Sequence, residues 1–359
     1  MSHLKNFKAA LEKNGYDAAI VSSKDNQRYL SGFDFDDGLV LVTPKKSYLL
    51  TDSRYVEAAR EEASRELEVL TPSEGHLTAI ACLLSDNGCR TVATEDQALS
   101  CAEYARYCKM LDAYTLSGGA SEILSGLRLY KDDEELATIA RAQKITDDAF
   151  AHIVKWITPD VTEIEVALEL EYFMRKNGAE GLAFDTIAVS GSNSSRPHGV
   201  PRHARLEKGF LTMDFGARVD GYCSDMTRTV CIGRADAEMK KLYNTVLAAQ
   251  SAALAEAREG AFCRELDRIA RDIINGAGYE GCFGHSLGHG VGLFVHESPR
   301  LAPGADPAST LCRGHVVTFE PGIYVAGKYG CRIEDMVGVK NDGTVCNFTH
   351  SPKELIELL

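Results

Sequence analysis

Two aspartates, Asp214 and Asp225, lie on either side of a predicted β-hairpin turn. The turn is Asp220-Gly221, a dipeptide that tolerates the positive φ angles of a two-residue loop, and it is flanked by apolar and β-branched residues. Such a loop places Asp225 opposite Gly216. Because side chains alternate between the two faces of a strand, Asp214 and Asp225 then point to the same face as diagonal neighbours, with Cα atoms ~7–8 Å apart.

The two carboxylates would repel each other unless a cation lies between them. The nearby residues Met213, Phe215, Met226 and Val230 are apolar, which indicates a strand pair in a core, where an unpaired carboxylate is costly. Exposure of one or both aspartates to solvent is the alternative interpretation. Since the apolar neighbours argue against it, we expect a divalent metal ion at this pair.

Further along the chain, histidines and glutamates add to the candidate site. A glycine-rich segment, typical of extended or loop backbone, contains His285 and His289, and His296 follows it. Glu320 and Glu334 each follow apolar, strand-like residues, and either one alone could be the exposed end of its strand. Four carboxylates and one imidazole suit divalent ions such as manganese, cobalt, iron or zinc. The five candidate ligands are Asp214, Asp225, His289, Glu320 and Glu334.

The composition is ordinary for a soluble globular protein, with 359 residues, 45% hydrophobic and 25% charged. This length predicts two domains. The net charge of −13 argues against nucleic acid as a partner, since phosphate binding needs a basic surface. No apolar run approaches the ~18 residues that cross a bilayer, and the N-terminus lacks the apolar core of a signal peptide. We therefore expect a cytoplasmic protein with no membrane partner.

The first part of the chain alternates short strand-like runs with helical patterns and predicts a small α/β domain. Strands are expected at 18–21, 38–42 and 47–50, and helices at 55–68 and 78–84. A small, flexible segment at 117–121 and the start of a charged helix at 131–135 place the domain boundary near residue 126. The expected domains are residues 1–125 and 126–359.

The second part shows a similar order of elements twice. Thr162 and Glu165 form a predicted capping box that opens one helix, and further helices are predicted at 238–258 and 264–275. The apolar stripe of the first helix is expected to contain Ile164, Ala167, Leu168 and Tyr172. Two helices followed by β-strands, twice over, predict an internally duplicated α+β domain with its site between the halves.

Six segments of this domain resemble the signature segments of the Xaa-Pro peptidases, a family that includes Xaa-Pro aminopeptidase and Xaa-Pro dipeptidase (prolidase). They are Met213-Asp214-Phe215-Gly216, the run 221–229, the run 288–293, His296-Glu297, Phe319-Glu320-Pro321-Gly322 and Arg332-Ile333-Glu334-Asp335. The resemblance implies the pita-bread catalytic fold that this family shares with methionine aminopeptidases. It also implies a creatinase-like α/β domain at the N-terminus.

The resemblance implies that the five candidate ligands bind two metal ions, with Asp225 and Glu334 bridging both. The expected metal is manganese, with cobalt, zinc or iron as other possibilities. Such a metal pair lowers the pKa of a shared water, so that a metal-bridging hydroxide exists near neutral pH, and polarises the scissile carbonyl. Glu320 would accept the proton of the nucleophile.

Four further residues receive roles by the same resemblance. His198, within 195–199, and His296 would contact the substrate and stabilise the tetrahedral intermediate, and His285 would lie near the substrate end. Arg332 would orient a liganding carboxylate. These histidines and Glu320 are the expected catalytic residues.

The expected activity is hydrolysis of the Xaa-Pro bond at the N-terminus of short proline-containing peptides, as in an Xaa-Pro aminopeptidase. Xaa-Pro dipeptidase stays open, because the sequence does not identify the residues that would hold a dipeptide's C-terminal carboxylate. The stretch between His296 and Glu320 contains three prolines and is expected to be a surface loop. In relatives the N-terminal domain limits access to the cleft and makes homodimer contacts, so we expect a homodimer.

Two remoter functions compete with this interpretation. Gly284-His285-Ser286-Leu287-Gly288 fits the Gly-x-Ser-x-Gly nucleophile elbow of a serine esterase. That elbow needs a strand before it and a helix after it, whereas 279–283 makes a poor strand and 289–292 a poorer helix. The second is a non-catalytic binding protein on the same fold, which the presence of all five candidate ligands disfavours.

Overall fold

The computed structural model describes residues 2–158 and 160–358 of the chain. The chain divides into two compact units, one up to Arg128 and the other from Leu129 onward. The domain limits 1–125 and 126–359 stay a prediction, because compactness does not show that either part folds independently. Among the described helices, none has the length and apolar character that crossing a bilayer needs.

The first unit is built on a mixed six-stranded sheet. Its helices are α1 (His3–Lys13), α2 (Lys24–Ser31), α3 (Val56–Glu62), α4 (His76–Asn87), α5 (Cys101–Met110) and α6 (Ala120–Arg128). Its strands are β1 (Ala18–Val21), β2 (Gly38–Val42), β3 (Ser47–Thr51), β4 (Leu67–Leu70), β5 (Thr91–Thr94) and β6 (Thr115–Ser117). The strand order is β4-β3-β2-β1-β5-β6. A core between the sheet and helices α4 and α5 contains Ile20, Leu41, Ile80 and Tyr107.

The predicted strands of this unit are present, but one helix prediction is partly wrong. The helix expected at 55–68 ends at Glu62, and Ala63 already has extended backbone. Residues Leu67–Leu70 form β4, which pairs in parallel with β3. If these residues continued the helix, the backbone groups of β3 that pair with β4 would lose their partners, so tertiary pairing decides the conformation.

The second unit contains four long helices and fourteen strands among the described residues. The helices are α7 (Asp133–Trp156), α8 (Glu163–Lys176), α9 (Ala237–Ala255) and α10 (Cys263–Gly276), with a 3-10 turn at Gly191–Ser195. The first strands are β7 (Gly181–Leu182), β8 (Ile187–Ser190), β9 (Gly209–Phe215), β10 (Ala217–Val219), β11 (Tyr222–Cys223), β12 (Met226–Ile232) and β13 (Gly288–Gly290). The others are β14 (Glu297–Leu301), β15 (Val316–Phe319), β16 (Gly322–Val325), β17 (Tyr329–Arg332), β18 (Asp335–Val339), β19 (Val345–Asn347) and β20 (Glu357–Leu358).

The predicted duplicated α+β arrangement is confirmed. Helices α7 and α8 share a core with the sheet β20-β12-β9-β8. Helices α9 and α10 share a second core with the sheet β14-β13-β15-β18-β19. The second helix of each pair begins beside an isolated β-bridge, Thr162 with Arg205 and Phe262 with Thr310. Each half therefore buries one face of its sheet under a pair of helices.

Helix α8 has the predicted capping box but buries a different face from the one expected. Its Thr162 and Glu165 make both reciprocal capping hydrogen bonds. Leu168 and Tyr172, expected in the apolar stripe, are 55% and 60% exposed. The buried residues are Glu163, Val166, Ala167, Leu170 and Met174. Glu163 decides this, because its carboxylate accepts hydrogen bonds from Arg202 and turns its face of the helix inward.

The predicted hairpin register is confirmed. Asp220 and Gly221 have φ values of 48° and 87°, and Val219 pairs with Tyr222 across the turn. The same register continues into β9 and β12, where Asp214 pairs with Thr227. Asp214 and Asp225 therefore lie on the same face of the strand pair. A Cβ atom added at the intervening Gly216 would lie 2.0 Å from the main-chain oxygen of Ser224, so only glycine fits there.

Replacing Gly216 with alanine should force these strands apart. We expect Gly216→Ala to lower the free energy of unfolding by about 1–3 kcal/mol, the usual cost of overpacking. The matched control is Gly276→Ala at the end of α10, where an added Cβ has no neighbour within 4 Å. Thermal unfolding of both variants is the measurement. Equal stability of the two variants would show that the strands can separate without cost.

Candidate metal centre

All the candidate ligands lie at strand ends or next to them. Asp214 is on β9, Asp225 immediately precedes β12 and His289 is on β13. Glu320 follows β15, and Glu334 separates β17 from β18. The strands of both halves thus contribute, and the five side chains line one cavity of about 340 Å³.

The distances between these side chains are those of a cluster that can hold metal ions. One ligand atom from each of Asp225, His289 and Glu334 lies within 4.8 Å of the others. The Nε2 atom of His289 is 3.7 Å from Oδ2 of Asp225 and 3.2 Å from Oε1 of Glu320. Asp225, His289 and Glu334 are at most 5% exposed. Three ligand types therefore converge in a site that is largely shielded from water.

Two side chains, Arg332 and Thr227, donate hydrogen bonds to carboxylates of this cluster. Arg332 Nη2 donates to Asp214 Oδ2 at 2.6 Å, and Thr227 Oγ1 donates to Glu334 Oε2 at 2.7 Å. The guanidinium Nε of Arg332 also donates to Thr227 Oγ1 at 2.9 Å. Each carboxylate keeps a second buried oxygen, Asp214 Oδ1 and Glu334 Oε1, for which the described residues supply no hydrogen-bond partner. Buried oxygens without partners are costly, and divalent ions between them fit this arrangement.

Burial and mutual repulsion perturb the carboxyl groups. Burial, together with the charges of Glu334 and Asp214, raises the pKa of Asp225 well above its usual range. Burial and the charges of Glu320 and Asp214 do the same to the pKa of Glu334. Burial also raises the pKa of Asp214, although the charge of Arg332 opposes this. The cluster therefore holds more negative charge than the surrounding protein neutralises, and cations are the natural complement.

Glu320 behaves differently from the other three carboxylates. Burial alone would raise the pKa of its carboxyl group. The hydrogen bond and charge of His289, with the charges of His285 and Arg332, outweigh burial and lower that pKa. Glu320 is therefore the carboxylate of the cluster that stays ionised most readily.

The three remaining predicted histidines surround the same cavity. His198, His285 and His296 all line it. The rings of His296 and His289 are 4.4 Å apart, and burial, followed by the charge of His289, lowers the pKa of His296. Burial also lowers the pKa of His285. His285 and His296 are therefore neutral near pH 7.

Tyr324 completes a hydrogen-bonded chain that sequence reasoning missed. His285 Nε2 lies 3.1 Å from the Tyr324 hydroxyl, which accepts a hydrogen bond from Arg332 Nη1 at 2.7 Å. Arg332 in turn holds Asp214, so the chain runs from the cavity wall to a candidate ligand. The sequence feature that could have indicated Tyr324 is its position four residues after Glu320, on the strand β16.

The surface loop expected between His296 and Glu320 is present at 302–314, but the prediction is wrong for the start of this segment. Its first part is the strand β14, in which Pro299 is buried, and β14 pairs with β13 so that Arg300 lies opposite His289. Arg300 lines the cavity and was missed because the prolines suggested a loop. Other lining residues outside the sequence predictions are Phe184, Asp185, Ile187, Pro197 and Val295.

Ser286 does not sit in a nucleophile elbow. It lies in a loop that leads directly into the strand β13, whereas an elbow turns from a strand into a helix. Its main-chain oxygen is 2.9 Å from His285 Nδ1. The structure therefore does not have the serine esterase geometry considered from the sequence at Ser286. The loop contacts the cavity histidine His285 instead.

Known proteins resemble the whole chain. Residues 137–341 match the model described as Metallopeptidase family M24, and residues 3–130 match Creatinase/Prolidase N-terminal domain. The chain is 39% identical over 345 residues to "Uncharacterized peptidase YqhT" of Bacillus subtilis (strain 168), covering 96% of each protein. It matches the solved Xaa-Pro dipeptidase from Bacillus anthracis with a TM-score of 0.93 and 38% identity, covering 99% of each chain. It also matches X-Pro aminopeptidase from Thermotoga maritima MSB8, with a TM-score of 0.90, 36% identity and coverage of 97% and 99%.

The raised pKa of Asp225 predicts how stability depends on pH and metal. A carboxyl group whose pKa is higher in the folded state stabilises the fold at low pH, and this contribution is lost as pH rises through the folded-state pKa. In metal-stripped protein at pH 8, Asp225→Asn should therefore raise the melting temperature by at least about 1 °C, the shift that roughly 1 kcal/mol gives in a protein of 359 residues. The difference should shrink toward pH 4.

Adding a divalent metal should make the melting temperature of the wild type higher than that of Asp225→Asn, because the variant lacks one charged candidate ligand. The matched control is Asp185→Asn, a change at an exposed carboxylate that lines the same cavity. Thermal unfolding with chelator and with manganese is the measurement. A metal-stripped Asp225→Asn protein no more stable than the wild type at pH 8 would contradict the repulsion argued above.

Proposed function

This chain belongs to metallopeptidase family M24 and is a metal-dependent hydrolase of the Xaa-Pro peptidase type, and we propose that its preferred substrates are Xaa-Pro dipeptides. The observation that carries this proposal is the arginine, Arg300, in the same cavity as the metal-binding cluster. Xaa-Pro aminopeptidase, expected from the sequence, is the second candidate. It is supported by the similarity to the X-Pro aminopeptidase from Thermotoga maritima MSB8.

We assign the metal ligands to the five clustered side chains, with Asp225 and Glu334 as the residues that bridge two ions. Asp225, His289 and Glu334 are buried, and Asp214 Oδ1 and Glu334 Oε1 have no hydrogen-bond partner among the described residues, which supports this assignment. The oxygen-rich set favours manganese, with cobalt, zinc and iron as competitors. When bound, two such ions lower the pKa of a shared water and polarise the scissile carbonyl.

The residues around the cluster would move protons and stabilise charge. Glu320, with its lowered pKa, is ionised near neutral pH and can accept the proton that the attacking water loses. His198 and His296 line the cavity and can donate hydrogen bonds to the developing oxyanion, an interaction worth ~3–4 kcal/mol for one good donor. His285 and Tyr324 fix Arg332, which orients Asp214.

The apolar part of the cavity suits a proline ring. Phe184, Ile187 and Val295 line it beside the candidate ligands. The bond before proline is a tertiary amide without an N–H group, so recognition must rely on the ring and on the carbonyl. An apolar wall close to a charge-rich cluster provides both kinds of contact.

Arg300 is placed to recognise a C-terminal carboxylate. Its side chain is exposed, and within the described residues no hydrogen bond or ion pair from it to protein is seen. It lines the same cavity as His296, and its charge contributes, after burial and the charge of His289, to the lowered pKa of that imidazole. In an Xaa-Pro dipeptide the free carboxylate is on the proline itself, one residue from the scissile carbonyl. Charge-assisted pairing with arginine would favour that substrate over a longer peptide.

A homodimer and a cytoplasmic location stay predictions from the sequence. The dimer is checked by the mass of the protein in solution at micromolar concentration. Neither prediction is needed for the chemistry proposed here, because every residue assigned to it lies in the unit from Leu129 onward.

Metal removal tests the class of chemistry. We expect chelator-stripped protein to lose hydrolysis of an Xaa-Pro dipeptide and to regain it with manganese. Asp225→Asn should stay inactive after manganese is added, because a bridging ligand is missing, whereas Ser286→Ala should keep activity within about threefold. Activity that survives chelation and disappears in Ser286→Ala would instead identify a serine hydrolase.

Replacement of Arg300 tests the substrate length. Arg300→Met should raise KM for an Xaa-Pro dipeptide about tenfold to a hundredfold, the effect of losing a hydrogen bond to a charged group. The same dipeptide with an amidated C-terminus should be cleaved equally by both proteins, and Arg300→Lys should recover part of the loss. Faster cleavage of Xaa-Pro-Xaa tripeptides by the wild type would favour the aminopeptidase.

A further inference from the structure

We propose that Lys131 is a positioning residue for catalysis, which acts through Glu297 to hold the loop that carries His296. This inference rests on the proposed function, because it takes His296 to be a donor to the reacting carbonyl. Lys131 lies immediately before the N-cap residue of α7, far in sequence from the residues assigned to the cavity, and the six signature segments do not include it.

The contact between Lys131 and Glu297 is a buried ion pair. The ammonium Nζ of Lys131 is 3.0 Å from Oε2 of Glu297, and the two side chains are 1% and 6% exposed. Bringing both charges out of water costs roughly as much as their attraction returns, so such a pair contributes little net stability. Its best-attested use is to select one arrangement of the segments that carry the two charges.

The lysine end of the pair is anchored by its main chain. Lys131 N donates to the main-chain oxygen of Gly314 at 2.9 Å, and Asn341 Nδ2 donates to Lys131 O at 3.4 Å. A Cβ atom at Gly314 would lie 2.8 Å from Lys131 N, so the two segments are in close contact. Gly314 lies just before β15, and Asn341 lies just after β18. The ammonium group therefore projects from a fixed base.

The glutamate end of the pair lies inside the turn of a loop. Its other oxygen, Oε1, accepts a hydrogen bond from the main-chain N–H of Phe294 at 3.3 Å, and Gly292 N donates to Phe294 O at 3.0 Å. A Cβ atom at Gly292 would lie 2.5 Å from Glu297 Oε2 and 3.0 Å from Lys131 Cε. The loop from Gly292 to Glu297 thus closes around the carboxylate. Since His296 directly precedes Glu297, the pair fixes the backbone from which its imidazole projects.

The same loop also contacts the hairpin that carries Asp225. Cys223 N donates to Gly292 O at 2.8 Å, and the Cys223 thiol lies 3.6 Å from Leu293 O. A shift of the loop would therefore move His296, the histidine proposed to contact substrate. It would also disturb the contacts between this loop and the hairpin that carries Asp225. Lys131 itself is too deeply buried to meet substrate, so any effect on the reaction must pass through Glu297.

Lys131→Met tests the proposal, because it removes the charge and keeps most of the side-chain length. With metal-loaded full-length protein, we expect kcat/KM for an Xaa-Pro dipeptide to fall about tenfold to a hundredfold, as expected for a catalytic group displaced by about 1 Å. Metal content should be unchanged. The matched control is Lys144→Met, which removes an exposed lysine paired with Asp148, and it should leave kcat/KM unchanged.

A double-mutant cycle separates positioning from a general structural role. If Lys131 acts through His296, Lys131→Met should change kcat/KM less than about twofold when His296 is already alanine. A loss by the same factor in both backgrounds would overturn the proposal. Should Lys131→Met fail to fold, Glu297→Gln takes its place in the cycle, with the same expected results.

Hydrogen exchange supplies a measurement that does not depend on activity. Peptides covering 292–297 should exchange faster in Lys131→Met than in wild type, while peptides from α9 should not change. Unchanged exchange in 292–297 would overturn the proposal whatever the kinetics show. A wild-type protein that cleaves no Xaa-Pro peptide with any metal would refute the proposed function alone, since the exchange result still decides whether Lys131 holds the loop.

Discussion

The crowding of four carboxylates in one buried cavity is the constraint on which the rest of the catalytic unit depends. Burial and mutual repulsion raise the pKa of Asp214, Asp225 and Glu334, and the protein supplies few donors to offset this. Arg332 is the main cation in reach, and it contacts Asp214 from outside the cluster. The arrangement is therefore stable with its carboxylates ionised only when divalent cations share their charge. We therefore expect metal binding to stabilise the folded cavity.

The duplicated architecture explains how such an unfavourable cluster can be assembled. Each half buries one face of its sheet under two helices, so the strand ends that carry the candidate ligands are held by ordinary apolar cores. Glycines at 216 and 288 let backbones approach where any side chain would collide with a main-chain oxygen. The stability of the cores offsets the electrostatic cost at the place where the two halves meet. The candidate ligands come from both halves, and neither half alone contains all five.

Local chemistry explains which features could be predicted from the sequence. The Asp220-Gly221 turn fixed the strand register, and with it the shared face of Asp214 and Asp225, because two-residue loops have few conformations. The α8 stripe was wrong at Leu168 and Tyr172 because a buried Glu163, paired with Arg202, determines which face turns inward. Long-range contacts of this kind leave no periodic signal. Tyr324 and Lys131 were missed for the same reason, since each contacts a partner distant in sequence, whereas Arg300 was missed because the nearby prolines suggested a loop.

Adjacent acidic residues show how pairing distinguishes a structural carboxylate from a candidate metal ligand. Burial alone would raise the pKa of Asp335, but the charges of Arg228 and Lys353 outweigh it and lower that pKa. Both oxygens of Asp335 are occupied, at 2.8 Å from Arg228 and 2.7 Å from Lys353. Its neighbour Glu334 points the other way and keeps one buried oxygen without a partner in the described chain. Glu297, paired with Lys131, belongs to the first kind, so its charge is already neutralised and serves to hold a loop.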